Sequence, residues 1–311
     1  MIVTVTFNPA IDKTALVDTL VVGGLNRLRD VRQDAGGKGV NVSKTLLALG
    51  SNSFATGFLA GSSGCVIEDS LDHLGIENEF VWVEGNTRTN LKVLNAKMEL
   101  TELNEPGPYV EMEDVQALVE LIKKKADPSS YVVLSGNVSP GVKNTIYKEM
   151  IASLKESGIR VLLDADGELF KEGIQAKPYA IKPNRFELAQ YFGVREPESL
   201  EDTVMLGEKL LNDQTRLVVI SMGGEGALFL SEEAFLYCPV LPIDLKSSVG
   251  AGDAMVAAMA LGLENKLSLE ELAILCMATS AGACTTEGTQ PARLEVIEDL
   301  KDLVQIERMR G

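Results

Sequence analysis

Ser247-Ser-Val-Gly-Ala-Gly-Asp253-Ala-Met-Val-Ala-Ala258 reads as a glycine loop opening a helix of small residues, Ala251–Leu263. The first N–H groups of a helix have no intrahelical partner, and the helix dipole favours an anion there. Glycine lets a phosphate approach the backbone closely. Gly250, Ala251 and Gly252 therefore form a candidate anion hole, with Ser248 and Val249 leading into it. Asp253 falls in the first helical turn, where it could take a proton from a hydroxyl attacking phosphorus. Gly-x-Gly-Asp alone is more often a helix cap than a site, but the full string is more specific.

A second glycine turn, Ala35-Gly-Gly-Lys-Gly-Val-Asn41, also precedes a helix, Val40–Leu49. It is not a Walker A loop, which has wider spacing and Ser or Thr after the lysine. Its glycines would expose backbone donors, and Lys38 and Asn41 would reach hydroxyls or a phosphate. The bland reading is a turn with a helix cap.

Between these turns, strands alternate with helices. Phe54–Leu59, Tyr131–Ser135, Arg160–Asp164, Ala180–Lys182 and Leu217–Ser221 are short extended runs. Helical spacing follows in the stretches to Leu74, Met112–Ile122, Val142–Glu156 and Asn184–Phe192. Ser199 and Ser268 look like helix starts with capping boxes, and Leu269–Cys284 is a second small-residue helix. Such alternation predicts an α/β fold with a parallel sheet covered on both faces. Ligands of such sheets bind beyond the carboxyl ends of the strands. Ser135, Asp164, Lys182-Pro-Asn184 and Ser221-Met-Gly223 all fall there. Ile11–Leu20 and Arg88–Leu103 instead alternate apolar and polar residues. They predict a small separate sheet acting as a lid, its strands roughly within 11–34 and 86–104 of a single domain spanning 1–311. Edge strands of the main sheet are the alternative.

Composition narrows the chemistry. The net charge of −16 argues against nucleic acid and anionic membranes as partners. The longest apolar run, Ala254–Leu263, is far short of the roughly 20 residues of a membrane span. The start Met-Ile-Val-Thr-Val-Thr-Phe carries no leader pattern, so the cytoplasm is expected. Cys276 and Cys284 lie about 12 Å apart along one helix, too far for a disulfide. With Cys65 and Cys238 they read as reduced thiols. His73, the single histidine, reads as structural, which leaves a carboxylate as the general base.

Taken together, Gly36-Gly-Lys-Gly-Val-Asn41, Asn184-Arg-Phe-Glu187 and Ser247–Ala258 resemble the signatures of the ribokinase-like, or phosphofructokinase-B, sugar kinase family along essentially the whole chain. The resemblance implies an α/β/α sandwich with a mostly parallel central sheet and a β-sheet lid. It implies phosphoryl transfer from ATP with Mg²⁺, Asp253 as base and Gly250–Gly252 as anion hole. Glu187 and Asn184 would place the metal, directly or through water. Lys182, Ser221, Gly223, Gly224 and Gly226 would line the nucleotide, and Asp12, Gly37 and Asn41 the sugar.

Thr4-Val-Thr-Phe-Asn-Pro-Ala-Ile-Asp12 is similar to the phosphosugar branch of that family. Arg27, Lys38 and Arg88 agree with it, as cations for a second phosphate in an acidic protein. Thr87–Lys92 and Thr101–Pro108 lean towards fructose 1-phosphate as substrate, with tagatose 6-phosphate the sibling choice. A non-catalytic sugar-phosphate sensor is the reading of another class. Asn137 and Ser139 depart from the commoner pattern. Pairing of two copies through the lid is implied by the resemblance alone.

Overall fold

The first strand, β1 (Ile2–Thr6), is buried throughout, with neighbours on both sides. A computed structural model describes residues 1–97 and 99–310 of the chain. After β1 come β2 (Ala10–Leu16), β3 (Arg29–Gly36), α1 (Lys38–Ala48), β4 (Ser53–Leu59), α2 (Gly61–Leu74), β5 (Glu77–Asn78), β6 (Val81–Trp82), β7 (Arg88–Leu94) and β8 (Leu100–Asn104). The middle of the chain supplies α3 (Met112–Lys125), β9 (Tyr131–Ser135), α4 (Ile146–Glu156), β10 (Arg160–Asp164), α5 (Gly167–Gln175), β11 (Ala180–Ile181), α6 (Arg185–Phe192) and α7 (Leu200–Glu208). The last part holds β12 (Leu217–Ser221), β13 (Ala227–Ser231), β14 (Phe235–Cys238), α8 (Ala251–Glu264), α9 (Leu269–Cys284), α10 (Leu294–Lys301) and β15 (Glu307–Arg310).

The large sheet runs β15-β14-β13-β12-β11-β10-β9-β1-β4-β5, with β6 also on β4. Pairing is parallel from β5 to β12 and antiparallel from β12 to β15. Strands buried on both faces need apolar side chains at successive positions, which is why these segments read as unbroken apolar runs. Ile2, Val133, Leu162 and Val219 join α1, α8, α9 and α10 in one core. Val3, Val5, Val132, Leu163 and Ile220 point the other way, into a core with α3 to α7. Removing a fully buried aromatic such as Phe58 or Phe229 would cost about 3–5 kcal/mol.

The lid is a second sheet, ordered β3-β2-β7-β8. Its middle pair, β2 and β7, is parallel, and both flanking pairs are antiparallel. Of the lid expectation, β2, β7 and β8 match the alternating segments. The tail of the first segment, Asp18–Leu20, is not strand. The helix expected from Val142 begins only at Ile146, because residues 140–145 form turns after Pro140. Ser268 makes a full capping box, whereas Ser199 makes only the forward bond to Asp202 N. All four cysteines are free. Among the described residues no helix is long and apolar enough to cross a membrane.

Candidate active site

The strand ends and the lid enclose a cleft of about 410 Å³. On the sheet side it is lined by Asp164, which ends β10, Ser221, which ends β12, and Lys182, just beyond β11. From the lid, register sets Asp34, Asp12, Asn90 and Asn104 side by side across its four strands. Lys92 stands opposite Glu102 one pleat further on. The floor is the start of α8.

Gly250, the N-cap of α8, has φ 86°, and no side chain among the described residues caps the helix. A left-handed residue with no Cβ lets the chain turn sharply into the helix, with Ala251 N bent back onto Ser248 O at 3.4 Å. Asp253, three residues on, is only 8% exposed. Asn41 Nδ2 donates to Asp253 Oδ2 at 2.8 Å. Burial pushes the Asp253 carboxyl up to about 6, against the pull of Lys38. A carboxylate with that affinity is suited to receiving a proton near neutral pH.

Asp164 lies between two lysines. Lys182 Nζ is 3.0 Å from its Oδ1 and Lys38 Nζ is 3.2 Å from its Oδ2. Burial alone would raise the Asp164 carboxyl, but Lys182 and Lys38 outweigh it and hold it at about 2. Asp164 in turn raises Lys38, which stays an ammonium. Both cations thus face the cleft pre-positioned rather than free to swing.

The start of α6 is a capping box. Asn184 Oδ1 accepts from Glu187 N, and Glu187 Oε2 accepts from Asn184 N, both at 2.8 Å. This uses one Glu187 oxygen and leaves Oε1 for another partner. Burial raises the Glu187 carboxyl. Arg185 clips this helix to the turn after β12 through two bonds to Glu225, at 2.8 and 3.0 Å.

In the lid, Asn90 Nδ2 and Lys92 Nζ bind the two oxygens of Asp12, at 3.1 and 3.3 Å. Arg88 Nε and Nη2 both donate to the Asn8 carbonyl, at 3.2 and 3.0 Å. Among the described residues Arg88 has no carboxylate partner, unlike the three lysines of the cleft. Two acceptors, Asn41 Oδ1 and Asn90 Oδ1, are buried there without a hydrogen bond. Buried polar atoms are normally satisfied, and sugar hydroxyls are donors that would satisfy these.

Of the residues picked from sequence, Asp12, Gly37, Lys38, Asn41, Arg88, Lys182, Asn184, Glu187, Ser221, Val249, Gly250, Gly252 and Asp253 all line the one cleft. Ala251 is the first residue of α8 beside them. Gly223 and Gly224 lie in the short turn beyond Ser221, which Gly226 closes, and Ser248 is exposed just before the lining. Arg27 is not brought in; it is exposed on the connection between β2 and β3. Sequence reasoning missed Asp164 as a site residue, and also Asn90, Lys92, Glu102, Asn104 and Thr289. Asn90 and Lys92 follow Arg88 at intervals of two on a strand, a signal that was there to use.

The family model described as pfkB family carbohydrate kinase matches residues 5–296. A 1-phosphofructokinase of Bacillus subtilis (strain 168) is 34% identical over 309 residues, spanning 99% of this chain and 100% of that protein. A tagatose-6-phosphate kinase of Staphylococcus epidermidis is 30% identical over 275 residues, 88% of each chain. The crystal structure of phosphofructokinase-2 from Escherichia coli superposes with a TM-score of 0.91 at 26% identity, covering 97% of this chain and 98% of the other.

Proposed function

Because the chain belongs to the pfkB family of carbohydrate kinases, we propose that it transfers the γ-phosphoryl group of ATP to fructose 1-phosphate, giving fructose 1,6-bisphosphate and ADP. The observation that carries this reading is the placement of a buried, high-pKa Asp253 in the first turn of α8, in one cleft with Arg88.

Asp253 takes the proton of the substrate hydroxyl on the oxygen that Asn41 leaves free. A bond forms between that hydroxyl oxygen and phosphorus as the bond from phosphorus to the β,γ-bridging oxygen breaks. The N–H groups of Gly250, Ala251 and Gly252 at the helix start would hold the charge on the transferring group, that of Ala251 by leaving its long 3.4 Å bond to Ser248 O. Lys182 would face phosphate oxygens of the donor, and Lys38, held on the same Asp164, would reach phosphate from the sugar side. Ser221, Val249 and the turn carrying Gly223, Gly224 and Gly226 flank the nucleotide, with Ser248 at the entrance. Asp12, Gly37 and Asn41 orient the sugar.

No three His, Cys, Asp or Glu side chains among the described residues form a metal cage. Mg²⁺ is commonly held by one or two carboxylates, substrate phosphates and water. Glu187, through its free oxygen, and Asn184, through water, would hold it. When bound, the ion would neutralise phosphate charge.

Arg88 would grip the phosphate already on the sugar with the guanidinium N–H groups not spent on Asn8. The matched tagatose-6-phosphate kinase favours tagatose 6-phosphate as the second candidate. Two copies would pair through the outer face of the lid, where Leu91 stands opposite the exposed Leu103. Sedimentation of the purified chain tests that pairing. For the activity, ADP release is followed with fructose 1-phosphate, tagatose 6-phosphate, fructose 6-phosphate and unphosphorylated fructose. Preference for fructose 1-phosphate supports the reading; release with none of them favours a non-catalytic sensor.

A further inference from the structure

The segment formed by β3 and α1 is tied to the last part of the chain at two separate places. One is Asn41 on Asp253. The other is at the loop between α9 and α10. There Gln290 Nε2 donates to Asp34 Oδ1 at 2.7 Å, across 256 positions of sequence. Arg32 Nε holds the other Asp34 oxygen at 2.7 Å, and Arg32 Nη1 reaches Glu287 Oε2 of the same loop at 3.6 Å. Gln290 is also tied back by Thr286 Oγ1, which donates to its carbonyl at 2.5 Å.

Thr289, between Glu287 and Gln290, lines the cleft and backs the phosphate turn. A Cβ on Gly250 would come within 3.3 Å of Thr289 Cα. At its other end the link reaches the sugar side, because Asp34 stands opposite Asp12 in the β2–β3 register. A path therefore runs from the lid residue Asp12 to its strand partner Asp34, across the hydrogen bond to Gln290, and through its neighbour Thr289 to the space beside Gly250. Its two ends are residues assigned above to the sugar and to the transferring group, and Asp34 and Gln290 join them through protein alone.

We propose that Asp34 and Gln290 are positioning residues that fix the phosphate turn of α8 relative to the lid, so that sugar phosphate and nucleotide bind with positive coupling. The proposal rests on the kinase reading above. Neither residue touches the reacting atoms; each acts through Thr289 and β2. Their bond is directional and can be reversed chemically. Gln290→Glu sets a carboxylate against Asp34 and breaks it. Adding Asp34→Asn supplies an amide that can donate to the new carboxylate and remake it.

The experiment measures the dissociation constant of adenylyl imidodiphosphate with Mg²⁺, with and without saturating fructose 1-phosphate, in the wild type, Gln290→Glu and Gln290→Glu/Asp34→Asn. In the wild type the sugar phosphate is expected to tighten nucleotide binding about fivefold or more. Gln290→Glu should bring that factor close to one, and the double variant should restore it. Gln290→Ala, which removes the donor without adding charge, is read the same way if Gln290→Glu does not fold. A wild-type factor of one, a factor unchanged in the single variant, or no recovery in a folded double variant overturns the proposal alone. A wild type that binds neither ligand overturns the kinase reading, and this proposal with it.

Discussion

Asn41 Nδ2 donates to Asp253 Oδ2 at 2.8 Å, joining residues 212 positions apart. The bond orients the proposed base, and it survives an isosteric change. Asp253→Asn keeps an oxygen for Asn41 but loses basicity. Turnover should fall about 10²–10⁴-fold, while nucleotide affinity by calorimetry stays within a few-fold of wild type. Near-normal turnover would reduce Asp253 to a helix cap.

The same carboxyl sets a pH dependence. With a pKa of about 6 in the folded protein, the base is lost as pH falls through 6, so kcat should drop tenfold per unit below it. Stability runs the opposite way. The folded state holds this proton more tightly than the unfolded chain, so stability declines as pH rises from about 4 through 6. Asp253→Asn should therefore be more stable than wild type at pH 8, by about 3 kcal/mol, with the gain vanishing near pH 4. Thermal melts across that range measure it; a variant less stable at pH 8 contradicts it.

Asp164 carries the reverse case. Its carboxyl is held at about 2, with Lys182 and Lys38 outweighing burial. That stabilisation is present above the ordinary carboxylate range and is lost as pH falls through 2. Asp164→Asn leaves two ammonium groups without their anion, one of them buried, and should cost about 3–5 kcal/mol. Denaturant unfolding at pH 7 and at pH 3 would show a smaller deficit at the lower pH.

Glu187→Gln retains the capping contact to Asn184 N through its amide oxygen but removes a charge. The Mg²⁺ concentration giving half-maximal activity should rise roughly tenfold, and the helix should stay folded. A superimposable Mg²⁺ titration would place the metal elsewhere.

Arg88→Ala removes the cleft guanidinium that holds only a carbonyl. A charge-assisted hydrogen bond is worth about 1.5–3 kcal/mol, so KM for fructose 1-phosphate should rise roughly ten- to a hundredfold while KM for ATP is unchanged. Lysine at this position should rescue in part, because a point charge lacks the planar fork. Equal losses for fructose and its phosphate would mean that Arg88 shapes the lid instead.

The readable parts of this fold are those where burial dictates composition. Tyr131–Ser135, Arg160–Asp164 and Leu217–Ser221 were placed to the residue because central parallel strands admit little but apolar side chains. β3 was hidden for the opposite reason. Arg29–Gly36 is mostly exposed, with Val31 facing solvent and Ala35 its buried apolar side chain. The two glycine turns were legible because bare helix starts need special residues. Asp164 was visible as a strand end, but its grip on Lys38, 126 positions away, is a product of topology. Thr289 had no local signal, since its place depends on how the α9–α10 loop reaches back to Gly250.

From β9 onward each strand of the large sheet lies beside the one that precedes it in the chain, out to β15 at the edge. Half of the sheet can therefore be laid down in the order of synthesis, each new strand finding its neighbour already made. The other half cannot. β1 waits for β4 and then for β9, more than a hundred residues later, and until Tyr131–Ser135 emerges one side of it has no partner. Loop closure of that length slows folding and exposes an apolar strand edge meanwhile. Ribosome-bound chains stalled before residue 131 should be protease-sensitive along β1 and β4, and those stalled after β12 should be protected there. Protection already complete before β9 emerges would mean that β1 and β4 need no partner on that side.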